Sequence, residues 1–182
     1  MTFNGEFVDW DSGDTSFMGI SQAVFALRSD PSTMDSTAPN GRFEMCITPG
    51  VGFVDVTPMS GSTYVPGVVV VDPTVLQFLP IQSYRSFKAA RAADFGFDAA
   101  KAHVYVHVVG EANTLALGKT AGVTKTFDGN AWVDGNTGKD VYFGNVDAGG
   151  TTKVTASGAA VYGGASIPLT AGSFTYVTLR ER

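Results

Sequence analysis

At 182 residues the chain can bury one sizeable core or two small ones, and 44% hydrophobic against 16% charged residues exclude a disordered chain. A net charge of −5 argues against a sequence-independent grip on nucleic acid, which needs a basic surface. No apolar run approaches the ~20 residues of a membrane-spanning helix, and with Cys46 as the single cysteine there is no intrachain disulfide.

The chain opens on GEFVDW (5–10), where Phe7 and Asp9 alternate with Val8 and Trp10 at the period of a strand. VDWDSGD (8–14) then leaves that strand with Asp9, Asp11 and Asp14 close together. Asp9 and Asp11 have the alternate spacing of a calcium loop, but Ca²⁺ wants about six to eight oxygens and a closing Glu, which is missing here. The competing reading is a solvated turn, for which Gly13-Asp14 is ordinary chemistry. Calcium is the one cofactor this chain suggests; otherwise none is expected.

Further strands are predicted at ISQAVFAL, GRFEMCIT, GFVDVTP and YVPGVVVVD, separated by turns such as PNG and TPG. Their alternation puts Phe43, Met45, Val54 and Val56 in the core, together with Val104 further on. Cys46, on GRFEMCIT, is expected to behave as a small buried hydrophobe. Residues 1–75 carry nine Asp and Glu against Arg28 and Arg42, a balance of −7.

SYRSFKAARAADFG (83–96) has no β-branched residue, is rich in Ala and Arg, and ends on Gly96, so it reads as a short helix. Arg85, Lys88 and Arg91 would then lie roughly along one side. That basic face either covers a sheet edge or meets the acidic half of a neighbouring copy.

The second half predicts strands at AHVYVHVVG, TKTFD, NAWVD, DVYFGNV, TTKVTAS and SFTYVTLRE. In HVYVHVV (103–109) the period of two puts His103, Tyr105 and His107 on one face and the valines on the other. Two histidines and a tyrosine are metal-ligand types, but the His Cβ atoms would lie ~13 Å apart on a straight strand, too far for one ion. The plainer reading is a solvent-facing polar face. Asp134, Asn136 and Asp140 in DGNAWVDGNTGKD have calcium-loop spacing, again without the terminal Glu, and read equally as a Gly-rich hairpin loop. Trp10, Trp132, Tyr64, Tyr162 and Tyr176 could stack on sugar rings or simply pack the sheets. The segment from Gly41 to Thr57 also echoes the one from Gly138 to Thr155. The pairs Val56/Val154, Thr57/Thr155 and Tyr64/Tyr162 share a 98-residue offset.

GEFVDWDSGDTSFMGISQAVFAL followed by STAPNGRFEMCITPGVGFVDVTPMSGSTYVPG resembles the carboxypeptidase-regulatory-like, or transthyretin-like, β-sandwich family. Asn40-Gly41-Arg42-Phe43, Pro49-Gly50 and the Val54/Val56 alternation fit that family's hairpin, while Met18-Gly19-Ile20-Ser21 departs from its proline-rich turn. The match is good over residues 5–70 and loose over 100–182. It implies a small seven-stranded sandwich used as an accessory, adhesive or spacer module of exported proteins, and it names no reaction.

The expected fold is therefore all-β: an antiparallel sandwich at 1–75, a linker with a short helix at 76–99, and a second sandwich unit at 100–182. A single larger sandwich or jelly roll is the alternative. The expected function is a non-catalytic structural or binding module, secreted or in the cell envelope, with any leader absent from this chain. Alternatives are a virion or other assembly component of the capsid-decoration type, and a metal-dependent, dioxygenase-like enzyme using non-haem iron on HVYVHVV. A protein or carbohydrate partner and an oligomeric assembly are compatible with this, with Trp10, Trp132, His103, Tyr105 and His107 as candidate ligand-binding residues.

Overall fold

A computed structural model describes residues 1–10, 18–50, 52–73, 82–86, 88, 95–111, 113–157, 161–162 and 166–181. The protein is all-β and divides into two units, Met1–Ala93 and Asp94–Arg182.

In the first unit, β1 (Thr2–Asp9) pairs antiparallel with β4 (Arg42–Cys46) and parallel with β7 (Gln82–Ser86). The facing sheet is antiparallel, in the order β6 (Gly67–Val71), β5 (Gly52–Thr57), β2 (Val24–Leu27), β3 (Asp30–Ser36). Rings from both sheets meet between them. Phe25 of β2 stacks on Phe43 of β4 with centroids 3.8 Å apart and meets Phe7 of β1 edge-on at 5.8 Å. Phe7, Phe25, Val54 and Val56 are essentially inaccessible, and Phe43 and Met45 nearly so, as the alternation predicts. Each such side chain contributes ~1.5–3 kcal/mol on leaving water, so the ring cluster is what holds the two sheets face to face.

In the second unit, β8 (Ala102–Val109) lies between β13 (Asp140–Val146), antiparallel, and β18 (Phe174–Glu181), parallel. The hairpin β10 (Val123–Phe127) and β11 (Trp132–Asp134) extends that sheet beyond β13, and β16 (Val161–Tyr162) pairs with β18. A second sheet runs β12 (Thr137–Gly138), β9 (Asn113–Leu117), β15 (Val154–Ser157), with a short ribbon of β14 (Thr151–Thr152) and β17 (Ile167–Pro168). Val104, Val106 and Val108 are fully buried, as are Val141 and Leu115.

The two units share one pairing scheme. In each, the first strand is flanked by an antiparallel partner and by the unit's last strand running parallel to it. Arg42 and Asp140, 98 residues apart, open those antiparallel partners, and they sit opposite Glu6 and His107 respectively. The first strand of each echoing segment, β4 and β13, thus occupies the same place in its unit's pairing.

Three expectations are corrected. Residues 82–86 form a strand rather than the start of a helix, because the open edge of β1 offers five residues of parallel pairing and tertiary pairing outweighs helix propensity. Arg85 is therefore on a sheet, not on a helical side shared with Lys88, and Arg91 lies outside the described residues. GRFEMC and GFVDVT are not a hairpin: β4 pairs with β1, and β5 with β2 and β6 in the facing sheet. Cys46 is exposed, since on β4 the inward positions fall to Phe43 and Met45.

Gly41 shows why the Asn40-Gly41 turn needs its glycine. Its φ is +80°, and an added Cβ would stand 2.3 Å from the Phe7 carbonyl oxygen. The turn is then closed by Phe7 N–H donating to Gly41 O at 2.9 Å and Gly41 N–H donating to Ala38 O at 2.8 Å.

Candidate functional site

Equivalent faces of the two units differ in chemistry. On the outward side of β1 and β4 stand Asn4, Glu6, Arg42, Glu44 and Cys46, a polar surface tied by Arg42 Nε donating to Glu6 at 2.8 Å. The same positions of β8 and β13 carry His103, Tyr105, His107, Asp140 and Tyr142, with Phe174, Tyr176 and Thr178 beside them on β18. This face does not point freely into solvent as the plainer reading of HVYVHVV expected. His103, Tyr142 and Phe174 are 0% exposed, and only the His107 end is open.

The face is covered from the segment that leads into β8. The Phe97 ring stacks on His103 at 4.1 Å, and Phe95 meets Tyr142 and Trp132 edge-on at 5.6 and 6.0 Å. Asn145 holds that segment down. It adopts φ +56° at a bulge in β13, where its Nδ2 donates to Gly96 O at 2.6 Å and its Oδ1 accepts from Asp98 N–H at 3.0 Å. Asn tolerates this left-handed conformation better than other side-chain-bearing residues.

Inside the cover, His103 Nε2 lies 3.0 Å from the Asp98 carbonyl oxygen and Nδ1 lies 2.8 Å from Tyr142 Oη. A carbonyl only accepts, so Nε2 carries the proton and Nδ1 accepts from Tyr142. Burial pulls the imidazole pKa below its ordinary value, partly opposed by the Asp98 carbonyl, and the same desolvation pushes the Tyr142 phenol up. Both nitrogens are spent on protein groups, which leaves none for a metal.

His107 has the opposite proton. Its Nδ1 is 2.7 Å from Asp140 Oδ1, and a carboxylate accepts, so Nδ1 donates, and in the neutral ring Nε2 keeps its lone pair. The same Oδ1 accepts a short hydrogen bond from Tyr105 Oη at 2.5 Å. Trp132, brought over by the β10–β11 hairpin, stands edge-on to Tyr105 at 6.3 Å. Trp132, Tyr105 and His107, predicted separately as ligand-binding residues, therefore converge on one cluster with Asp140. His103 lies on the same strand face but belongs to the buried set.

The calcium candidates do not assemble in this way. Asp9 is buried, accepts from Tyr64 Oη at 2.6 Å and lies 4.0 Å from Lys88 Nζ, which stands over the Tyr64 ring at 5.7 Å from its centroid. Asp11 and Asp14 lie outside the described residues. Asp134 pairs with Lys125 at 3.0 Å, Asn136 Nδ2 donates to Leu115 O at 2.8 Å, and Asp140 serves Tyr105 and His107, so each of that trio turns to its own partner. Among the described residues, no group of three or more His, Cys, Asp or Glu is placed to hold a metal ion. Trp10 is buried in the first unit.

Sequence reasoning missed Asp140 as the partner of His107, and Tyr142 and Phe97 as partners of His103. Cross-strand register was needed to find Asp140 and Tyr142, and the folded lead-in to β8 to find Phe97; no signal in the sequence carried them.

No family model and no curated protein matches the chain. Among solved structures, the shaft pilin SpaA of Lactobacillus rhamnosus GG is 10% identical, covering 100% of this chain and 98% of that chain at a TM-score of 0.29. A streptococcal ancillary pilin is 11% identical over 100% of this chain and 69% of that chain, with a TM-score of 0.26. The major pilin T-13 of Streptococcus pyogenes is 9% identical, over 100% and 97%, with a TM-score of 0.25. Likeness at such TM-scores bears on neither the fold nor the function of this chain.

Proposed function

We propose that the chain is a non-catalytic structural and binding module, two transthyretin-like sandwich units in tandem, belonging to an exported or envelope-associated protein. The observation that supports this best is where the titratable side chains are spent. His103 is locked between Tyr142 and the Asp98 carbonyl, and Asp9 is held by Tyr64. Asp140 receives two donors on one oxygen. A general base or metal ligand needs a lone pair directed at a substrate, and these three groups direct theirs into the sheets, while the half-exposed His107 keeps Nε2 outside these pairings for binding. The repeated pairing scheme supports a structural use, since stacking like units lengthens a module without new chemistry. The exported setting is supported by the resemblance of residues 5–70 to spacer modules of that kind.

Surface labelling tests the setting. Intact cells of the source organism are treated with a membrane-impermeant maleimide, which should reach the exposed Cys46 thiol. A chain labelled only after lysis would place it inside the cell and overturn the exported reading.

A further inference from the structure

The two units share a pairing scheme, so a feature present in one and not in the other is informative. The second unit adds the β10–β11 hairpin, whose counterpart is not found among the described residues of the first. That hairpin brings Trp132 to the cluster of Tyr105, Asp140 and His107. At the position of His107–Asp140 the first unit has the ordinary ion pair Glu6–Arg42. The exchange of an ion pair for an oriented imidazole, together with an added tryptophan, makes this corner different from a sheet surface serving only solubility.

The geometry points to a binding site for a neutral saccharide at this corner, a reading that rests on the proposed non-catalytic binding role. Trp132 is partly exposed and rests on Tyr105 and Phe95, so its indole is held in place. A rigid aromatic surface takes the apolar C–H face of a pyranose at little entropic cost. His107 supplies the polar contact. Its side chain is 42% exposed, and Asp140 holds a proton on Nδ1, so the outward Nε2 meets a sugar hydroxyl as an acceptor in the neutral ring and as a donor in the charged one, and a hydroxyl serves both. An acidic ligand would meet the Asp140 carboxylate as a like charge. A cation would compete with Tyr105 and His107, which already donate to its Oδ1. A hydroxyl-bearing ring with an apolar face satisfies both the indole and the imidazole, and a peptide carboxylate or phosphate does not.

Heteronuclear NMR on the full chain tests this, with cellopentaose, chitopentaose and mannopentaose as probes. At least one should shift the Trp132 indole N–H and the His107 ring signals saturably while leaving the Trp10 indole unmoved. His107→Ala should weaken binding at least tenfold, and Trp132→Ala should abolish it. Because Trp132 also packs on Phe95 and Tyr105, the half-exposed His107→Ala variant carries the test if Trp132→Ala fails to fold. No saturable shift with any probe at millimolar concentration, or binding that survives His107→Ala undiminished, overturns the site and leaves the structural module standing. A probe recovered shortened after incubation would instead overturn the non-catalytic reading while the site remained.

Discussion

Tyr142 Oη donates to His103 Nδ1 at 2.8 Å across β13 and β8, with the two rings nearly coplanar in orientation at 3°. Four residues further along the same strand, His107 holds its proton on the other nitrogen because its partner is a carboxylate. One strand thus carries two histidines in opposite tautomers, one sealed and one open. The difference comes from what surrounds each ring: the Asp98 carbonyl and Tyr142 hydroxyl at His103, and the Asp140 carboxylate of β13 at His107.

The sealed histidine sets a pH dependence. Its folded pKa lies below the unfolded value of ~6.5, so below that pH the unfolded chain binds more protons than the native one. The stability tied to neutral His103 is then fully present above about pH 6.5 and is lost as pH falls through the lower folded pKa. Melting temperatures measured across this range should fall on acidification in the wild type and fall less steeply in His103→Gln. Equal slopes in the two proteins would show that His103 does not titrate between the states.

Removing the Tyr142 hydroxyl should leave a buried acceptor weakly served, because the remaining donor to His103 Nδ1, the Asn145 N–H, is at 3.4 Å. Tyr142→Phe is expected to cost ~1–3 kcal/mol in urea denaturation. Tyr142→Phe combined with His103→Phe should be non-additive, since residues in one hydrogen-bond network couple. Additive losses would mean the bond contributes nothing beyond ring packing.

Much of the fold was readable from the residues. The period of two placed His103, Tyr105 and His107 on one face and identified Phe43, Val54, Val56 and Val104 as core. It failed at β3 (DPSTMDS), where Asp30 and Pro31 look like a turn, and at β7 (QSYRS), which has no β-branched residue and leads into an Ala-rich run that looks helical. Both strands exist because a neighbour offers an edge: β2 for β3 and β1 for β7. The tautomers of the histidines were beyond sequence reading, since they depend on Asp140 and Tyr142, 33 and 39 residues away, and on the Asp98 carbonyl that the folded lead-in to β8 turns onto His103.

Two glycines with the same φ of +80° separate backbone strain from steric contact. A Cβ at Gly41 would press on the Phe7 carbonyl at 2.3 Å, whereas at Gly61 nothing lies within 4 Å. Gly61→Ala should cost about 1 kcal/mol, the penalty of a left-handed conformation alone. Gly41→Ala should cost clearly more, because β1 or the turn must move to admit the methyl. Equal melting temperatures for the two variants would show that the Asn40-Gly41 turn yields freely.

The metal readings also give a plain expectation. With Asp9 bonded to Tyr64 and the Asp134, Asn136 and Asp140 side chains each turned to a separate partner, chelator should leave the thermal midpoint unchanged. A Ca²⁺ ion at 100 times its Kd would otherwise stabilise the fold by ~2.7 kcal/mol, a loss that differential scanning fluorimetry detects easily. A downward shift in chelator would restore calcium to the loops.

The core of the first unit turns on Phe25. It is fully buried on β2, stacks on Phe43 at 3.8 Å, meets Phe7 edge-on at 5.8 Å and stands 6.2 Å from Tyr84, so it touches rings from all three strands of the facing sheet. Phe25→Ala removes the one ring that β2 contributes to this cluster and should cost ~3–5 kcal/mol. Phe25→Leu keeps most of the volume and should cost markedly less, though the stacked and edge-on pairs, ~0.5–1.5 kcal/mol each, are lost. Val56→Asp, next to it across β5, should abolish folding outright, since an unpaired carboxylate has no partner in that apolar space. The three variants should therefore rank in urea midpoint as Leu above Ala, with the Asp variant unfolded. A soluble Val56→Asp protein with an unchanged midpoint would overturn the register that points Val56 inward.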